Sequence, residues 1–196
     1  MPGARAPEAE RRRQIVTAAL EVAARDRLDG LTVRNVAAAA DLSPGLVFHH
    51  LGDKRRLLLA VLDEVLAAVV PAVPDDDGSS ARDRLLGHVR TELAELPGNR
   101  ELVELFLDFW VVGTREPEVR DRISAALDAY RRALHPLAAA AIDEEPDRFA
   151  GVEADRLASV VVAFAHGLAV QAVLDPDASD PDATIAALEA LIPPPL

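Results

Sequence analysis

Apolar residues recur along this chain at the three- and four-residue spacing of helices, and strand-like alternation bounded by turns is absent. Ile15, Ala18, Ala19 and Val22 mark a first helix over residues 8–27, stopped by Asp29-Gly30. Thr32 is placed to cap a short second helix over 33–40, and Asp41-Leu42 reads as a turn. Ser43 caps a third helix with Pro44 at its first position, where a fixed φ and a missing N–H do no harm. That helix ends at Leu51-Gly52, and Asp53 caps a fourth with Leu58, Val61, Leu62, Val65 and Val69 on one face. Pro71, Pro74 and the polar run over 75–80 then break the pattern.

Beyond that loop the pattern predicts five more helices, about nine in all. The fifth carries Leu85, Leu86, Val89, Leu93 and Leu96 and is expected to end at Pro97-Gly98; a sixth covers 100–113. The seventh opens at Pro117, with Val119, Ile123, Leu127, Tyr130 and Leu134 on one face, and Pro136 is expected to kink or end it. An eighth runs over 153–174 and a ninth over 182–192, where Pro193-Pro194-Pro195 forbids continuation. The fold class is all-α: an amino-terminal three-helix domain over 1–54, a connecting helix over 53–70, and a larger helical domain over 71–196.

Composition narrows the classes. With half of its 196 residues apolar, the chain can bury a core, which excludes low-hydrophobicity disorder. No apolar run is expected to reach the roughly 20 residues that span a bilayer, and MPGARAPEAERRR does not read as a secretory signal. Cysteine is absent, so disulfides, thiolate metal sites and cysteine nucleophiles are excluded; a cytoplasmic location is compatible with this. A Gly-rich phosphate loop, a nucleophile elbow and a HExxH motif are all missing, so no enzyme, cofactor or metal is expected.

The net charge of −12 hides a division. Residues 1–60 hold ten basic and seven acidic side chains, whereas 61–196 hold eleven and twenty-six. A cationic head able to meet phosphate thus precedes an anionic body that would avoid it. Within the head, residues 31–54 read LTVRNVAAAADLSPGLVFHHLGDK, two short helices joined at the spacing of a helix-turn-helix. Val36, Ala37 and Ala40 are small enough for the helices to cross closely, and Leu42 can plug the gap between them. Ser43 caps the second helix, whose positive end suits phosphate, and Gly45 lets that end approach DNA. Lys54, Arg55 and Arg56 stand against the macrodipole at the start of the next helix, a local cost that a phosphate would offset. Adjacent His49 and His50 cannot share a helix face and make no metal pair by themselves.

Over residues 11–66 this segment resembles the TetR family of bacterial transcriptional regulators. The features that carry the likeness are the arginine-rich first helix, Gly30-Leu31-Thr32, the Val36-to-Ser43 spacing, the block from Ser43 to Leu51, and Lys54. The resemblance implies phosphate contacts at Thr32, Arg34 and Lys54, groove entry by Ser43, Pro44, Gly45, Leu46 and Val47, and base or phosphate contacts by His49 and His50. Two positions depart from the family's habit. Phe48 stands where Tyr is usual, removing a hydroxyl-to-phosphate bond, and Asp41 replaces a glycine in the turn, where Asp still tolerates a left-handed backbone.

The acidic body is expected to sense a small molecule whose identity the sequence leaves open. Asp108 interrupts an apolar run beside Phe106, Phe109 and Trp110, which with Tyr130, His166 and Gln171 make candidate effector contacts. A solvated edge on a packed helix is the competing account of Asp108. Residues 166–176 resemble the branch of the family that includes choline-responsive repressors. The eighth helix is apolar nearly all round, so Leu157, Val161, Phe164, Leu168 and, from the ninth, Leu188 are expected to meet a second copy. The expected protein is a homodimeric repressor on a palindromic double-stranded operator, released by a small-molecule effector, with no membrane partner. A same-fold activator, a regulator answering to a protein, or an acidic binding protein without specific DNA recognition are the alternatives.

Overall fold

The computed structural model describes residues 7–70, 72–73, 75–176 and 180–191. Eight α-helices and no strand occur among them: α1 (Glu8–Gly30), α2 (Val33–Ala39), α3 (Pro44–Leu51), α4 (Lys54–Val69), α5 (Ala81–Gly113), α6 (Pro117–Glu144), α7 (Ala154–Leu174) and α8 (Pro181–Leu191). The chain forms two compact units. Residues 1–69 and 104–123 make the first, 70–103 and 124–196 the second. Expectations resting on Pro71, Pro74, Ile192 and prolines 193–195 fall outside the described residues.

In the first unit α1 packs on α2, α3 and α4, and α2 packs on α3. Ile15, Ala19, Val22, Val36, Val47, Leu57 and Val61 are its fully buried centre. The helix starts follow the side chains expected to make them. Thr32 Oγ1 accepts from Asn35 N at 3.1 Å, Ser43 Oγ from Leu46 N at 3.2 Å, and Asp53 Oδ1 from Arg56 N at 3.0 Å. α2 ends with Asp41 at φ 54°. There Asp41 N donates to Ala38 O and Leu42 N to Ala37 O, the paired bonds of a Schellman stop. α1 is broken near its end: Arg27 takes φ 59°, ψ −175°, a backbone region that essentially only glycine occupies without strain.

The fifth and sixth helices of the sequence reading are one, since α5 runs 33 residues with Pro97 inside it. Apolar spacing explains this, because Val89, Leu93, Leu96 and Val103 keep a single stripe across the proline and are all buried. α6 likewise continues through Pro136 on Tyr130, Leu134, Leu137 and Ala141. The second unit's core joins these α6 residues to Ala81 and Leu85 of α5 and to Ala158 and Val162 of α7. Glu144 Oε2 accepts from Ala81 N at 2.7 Å, so the end of α6 caps the start of α5.

α7 corrects another expectation. Its 21 residues are long and apolar enough to cross a bilayer, with a mean hydropathy of 2.0 over the most apolar 18-residue window, and only 28% of that window is buried. One face, Ala158, Val162, Ala165, Ala169 and Val173, is core. On another lie Val160, Ala163, Gly167, Gln171 and Leu174, all exposed.

Candidate nucleic-acid interface and buried polar cluster

The outward face of α3 follows from helical spacing. Pro44, Gly45, Phe48 and His49 are exposed, as is the capping Ser43, whereas Val47 and Leu51 point inward. Val47 is therefore not a groove-entering residue: at 0% exposure it is core. Leu46 and His50 are half-buried at the flanks. Gly45 has open space where a Cβ would stand, so the fold itself does not require glycine there.

The cations of this unit sort into two groups. Arg25 pairs with Asp26, Arg27 with Glu104 and Asp108, Arg55 with Glu118 at 2.7 Å, and Arg122 with Asp63. Arg13, Arg34 and Lys54 are exposed and make no ion pair or hydrogen bond to another side chain among the described residues. With Arg56, Arg115 and Arg120, which are likewise exposed and make no ion pair among the described residues, they are the charges left for an outside anion. Arg12 Nη1 donates to His50 O at 3.3 Å, tying the start of α1 to the end of α3. A cleft of about 280 Å³ opens beside this contact, lined by Arg12, His50, Arg56, Asp63, Glu118 and Arg122.

The candidate effector residues divide between the units. Phe106, Asp108, Phe109 and Trp110 lie in the first; Tyr130, His166 and Gln171 lie in the second. Phe109 is fully buried, and Trp110 is exposed, edge-on to Phe106 with ring centres 6.0 Å apart. The Asp108 carboxylate is engaged: Arg27 Nη2 sits 2.9 Å from it and also donates to Glu104 O, while Nη1 donates to Glu104 Oε2 at 3.0 Å. Gln171 is exposed and donates to Gly167 O at 3.2 Å. His166 is half-buried, and burial together with the charge of Arg131 lowers its pKa.

The second unit holds a buried polar cluster of which sequence reasoning identifies only Tyr130. Tyr130 Oη donates to Glu92 Oε2 at 3.1 Å and lies 2.5 Å from His88 Nε2. With the single phenolic proton given to Glu92, His88 supplies Nε2–H to the phenol oxygen. Burial holds Glu92 at about 7 against the Tyr130 hydrogen bond, with Glu95 adding to the rise. Burial also raises Tyr130 and lowers His88, so the imidazole is neutral at pH 7. A signal for it exists in the sequence, because His88 and Glu92 stand four apart on an otherwise apolar stripe.

Four of the residues expected between copies, Leu157, Val161, Phe164 and Leu188, are half-buried around an apolar cleft of about 90 Å³ with Leu85, Leu86, Val89 and Val160. Leu168 is also half-buried. The open stripe from Val160 to Leu174 is the more available surface on α7.

Known proteins share this arrangement. Residues 15–61 match the family described as bacterial regulatory proteins, tetR family, and residues 81–193 match that described as BetI-type transcriptional repressor, C-terminal. The HTH-type transcriptional regulator BetI of Brucella abortus (strain 2308) is 28% identical over 182 residues, covering 91% of this chain and 88% of its own. A transcriptional regulator from Saccharomonospora viridis, solved in complex with choline, superposes with TM-score 0.71 at 22% identity, covering 94% of this chain and 96% of that one. The multidrug binding protein EbrR complexed with ethidium gives TM-score 0.67 at 26% identity, over 96% and 100% of the two chains. These families regulate transcription by binding DNA and are not enzymes. The chain belongs to the TetR family of bacterial regulators, with a BetI-type carboxy-terminal domain.

Proposed function

We propose that this protein is a homodimeric, cytoplasmic repressor that holds a palindromic operator through α2 and α3 and lets it go when an organic cation binds the second unit. The observation that carries the reading is the outward face of α3, capped by Ser43 and accompanied by exposed, unpaired Arg13, Arg34 and Lys54. In such an arrangement phosphate contacts set orientation, and the exposed turns of α3 meet base edges.

The dimer follows from α7. One apolar face serves its own unit, and the stripe Val160, Ala163, Gly167 and Leu174 has no cover among the described residues. Gly167 has nothing within 4 Å of where its Cβ would be, which suits close approach of a second helix. A dimer on a twofold-symmetric operator would use two copies of α3 in successive major grooves, about 34–36 Å apart.

The effector's charge is argued from the cluster at Glu92. Choline and ethidium, bound by the two structural relatives, are both organic cations. Glu92 is a half-buried acid able to face such a charge, oriented by Tyr130, whereas Asp108 is neutralised by Arg27. A cation beside Glu92 favours its ionised form and draws a proton off it. Release of DNA then requires only that the cation bind one dimer geometry more tightly, typically by a factor of about 5–150.

Selection from random duplexes tests the first half of this reading: a twofold-symmetric site is expected, with log K falling by about 0.9 per phosphate neutralised against log salt. Recovery of no preferred site refutes it. Titration with choline and with ethidium tests the second: either is expected to weaken operator binding, and Glu92→Gln is expected to blunt that effect.

A further inference from the structure

The outward face of α3 is chemically unusual for a surface meant to read bases. Ser43 spends its hydroxyl oxygen on the Leu46 amide, and Pro44 and Gly45 carry no polar side-chain atom. Phe48 can neither donate nor accept. His49 alone offers an exposed ring nitrogen on that face. Side-chain hydrogen-bond readout on that face is thereby confined to the His49 imidazole and the remaining O–H of Ser43, and the rest is apolar.

Phe48 is the centre of that apolar remainder. The residue is 60% exposed, while Phe106 and Phe109 are buried and Phe149 and Phe164 half-buried. Nothing in its own unit covers it, although Val47 beside it in sequence is wholly enclosed. Gly45, three residues earlier on the same side of the helix, leaves a notch with open space at its Cβ position. A flat apolar ring beside a notch, on a helix that enters the major groove, has one apolar target there: the C5-methyl of thymine.

We infer that Phe48 is a specificity-determining residue, reading a thymine methyl in each half of the operator through its exposed ring beside Gly45. The inference rests on the DNA-binding reading above and adds the chemistry of discrimination to it. Thymine is preferred to cytosine at one symmetric position, and the preference resides in the methyl group rather than in a hydrogen bond.

The test uses the full-length protein and the duplex that the wild type selects. Each thymine in turn is replaced by deoxyuridine, which removes only the methyl. At one symmetric position the wild type is expected to lose about fourfold in affinity per half-site, the worth of one buried methyl group. Phe48→Ala is expected to bind both duplexes equally, and Phe48→Leu to keep part of the difference; the two variants together guard against a folding defect, checked by thermal melting. Insensitivity of the wild type to every thymine methyl overturns the inference, as does equal sensitivity in Phe48→Ala. A gain in affinity for every duplex alike in Phe48→Tyr, with no methyl effect in the wild type, puts the ring at the sugar-phosphate backbone, and also overturns it. Failure to select any site is a different result, and it strikes the DNA-binding reading itself.

Discussion

The two units differ in what they enclose. In the first, small and branched residues fill the interior, and what stays outside mixes cations without ion pairs, among them Arg13, Arg34 and Lys54, with the apolar side chains of Phe48, Trp110 and Val111. In the second, His88 and Tyr130 are buried and half-buried Glu92 bonds to Tyr130, while apolar residues of α7 face outward. A surface of partnerless charge is useful only against an opposite charge, and one of partnerless carbon only against more carbon. On the function proposed above, the free cations of the first unit face a polyanion, and the open face of α7 in the second faces another copy of itself.

The harshest way to break this comparison is to put charge on the apolar stripe. Val160 is 60% exposed in the single chain, so Val160→Arg is expected to leave the helical content and melting of a subunit nearly unchanged. Buried against its twofold mate, an unpaired guanidinium costs about 3–5 kcal/mol. Dimer dissociation is then expected to rise by at least about 100-fold, with operator affinity falling alongside. Sedimentation measures the first and a binding titration the second. If the Val160→Arg variant remains a DNA-binding dimer, α7's open stripe is not the interface.

The buried cluster makes the next largest prediction, and its sign is fixed by Glu92. A carboxyl held at about 7 in the folded chain and near 4.5 when unfolded favours folding when protonated. Its stabilising contribution is full below pH 4.5 and is lost as pH rises through 7. At pH 8 the ionised, half-buried carboxylate therefore costs about 3–4 kcal/mol, on the scale of 1.4 kcal/mol per pH unit. Glu92→Gln removes that term, so urea denaturation is expected to show the variant gaining on the wild type between pH 5 and pH 8. His88, whose pKa burial lowers, acts in the other direction, with stability lost as pH falls below the ordinary range of histidine. The difference between wild type and variant separates the two. A pH-independent difference would mean that Glu92 is ionised throughout.

How much of this is legible in the sequence depends on the range of the physics involved. Caps and turns are local, so Thr32, Ser43, Pro44 and Asp53 announce helix starts, and Asp41 takes the left-handed stop that Asp tolerates. Pro97 misleads because a local breaker outweighs, on paper, the apolar stripe running through it; packing of Leu93, Leu96 and Val103 offsets one missing hydrogen bond. Val47 is misplaced by a contiguous block, 43–47, when a helix presents a face: 44, 45, 48 and 49. Asp108 cannot be read at all, since its partner Arg27 lies far away in the sequence and in an unforeseen backbone conformation. The Glu92 cluster has a visible half, the His88–Glu92 spacing, and an invisible half, the approach of Tyr130 from another helix.

Arg27 sharpens the comparison from within the first unit, where it is a partnered charge under strain. Its φ of 59° with ψ near 180° costs about 1–3 kcal/mol for a residue with a Cβ. The ion pairs with Glu104 and Asp108 are partly solvated and return about 1 kcal/mol or less. Arg27→Ala keeps the strain and loses the pairs, so it is expected to destabilise by about 1 kcal/mol. Arg27→Gly loses the pairs and relieves the strain, and is expected to be neutral or stabilising. Urea midpoints of the two variants give the comparison directly, and glycine below alanine would mean that the backbone there is unstrained.

Lys54 produces the smallest effect, and its value lies in two readouts of opposite sign. It stands at the first position of α4 with Arg55 and Arg56 behind it and no acidic residue in that turn. A cation there opposes the positive end of the helix by about 0.3–1 kcal/mol, and none of the described residues pairs with it. Lys54→Ala is therefore expected to raise the stability of the free protein by a few tenths of a kcal/mol. The same change is expected to weaken binding to every duplex alike and to shallow the slope of log K against log salt by about 0.9, one phosphate's worth. Arg55 makes the control: its pairing with Glu118 satisfies it inside the unit, so Arg55→Ala is expected to leave the slope nearly where it was. If the two variants shift the slope equally, freedom from an internal partner is not what marks a cation for DNA, and the division drawn among this unit's charges loses its basis.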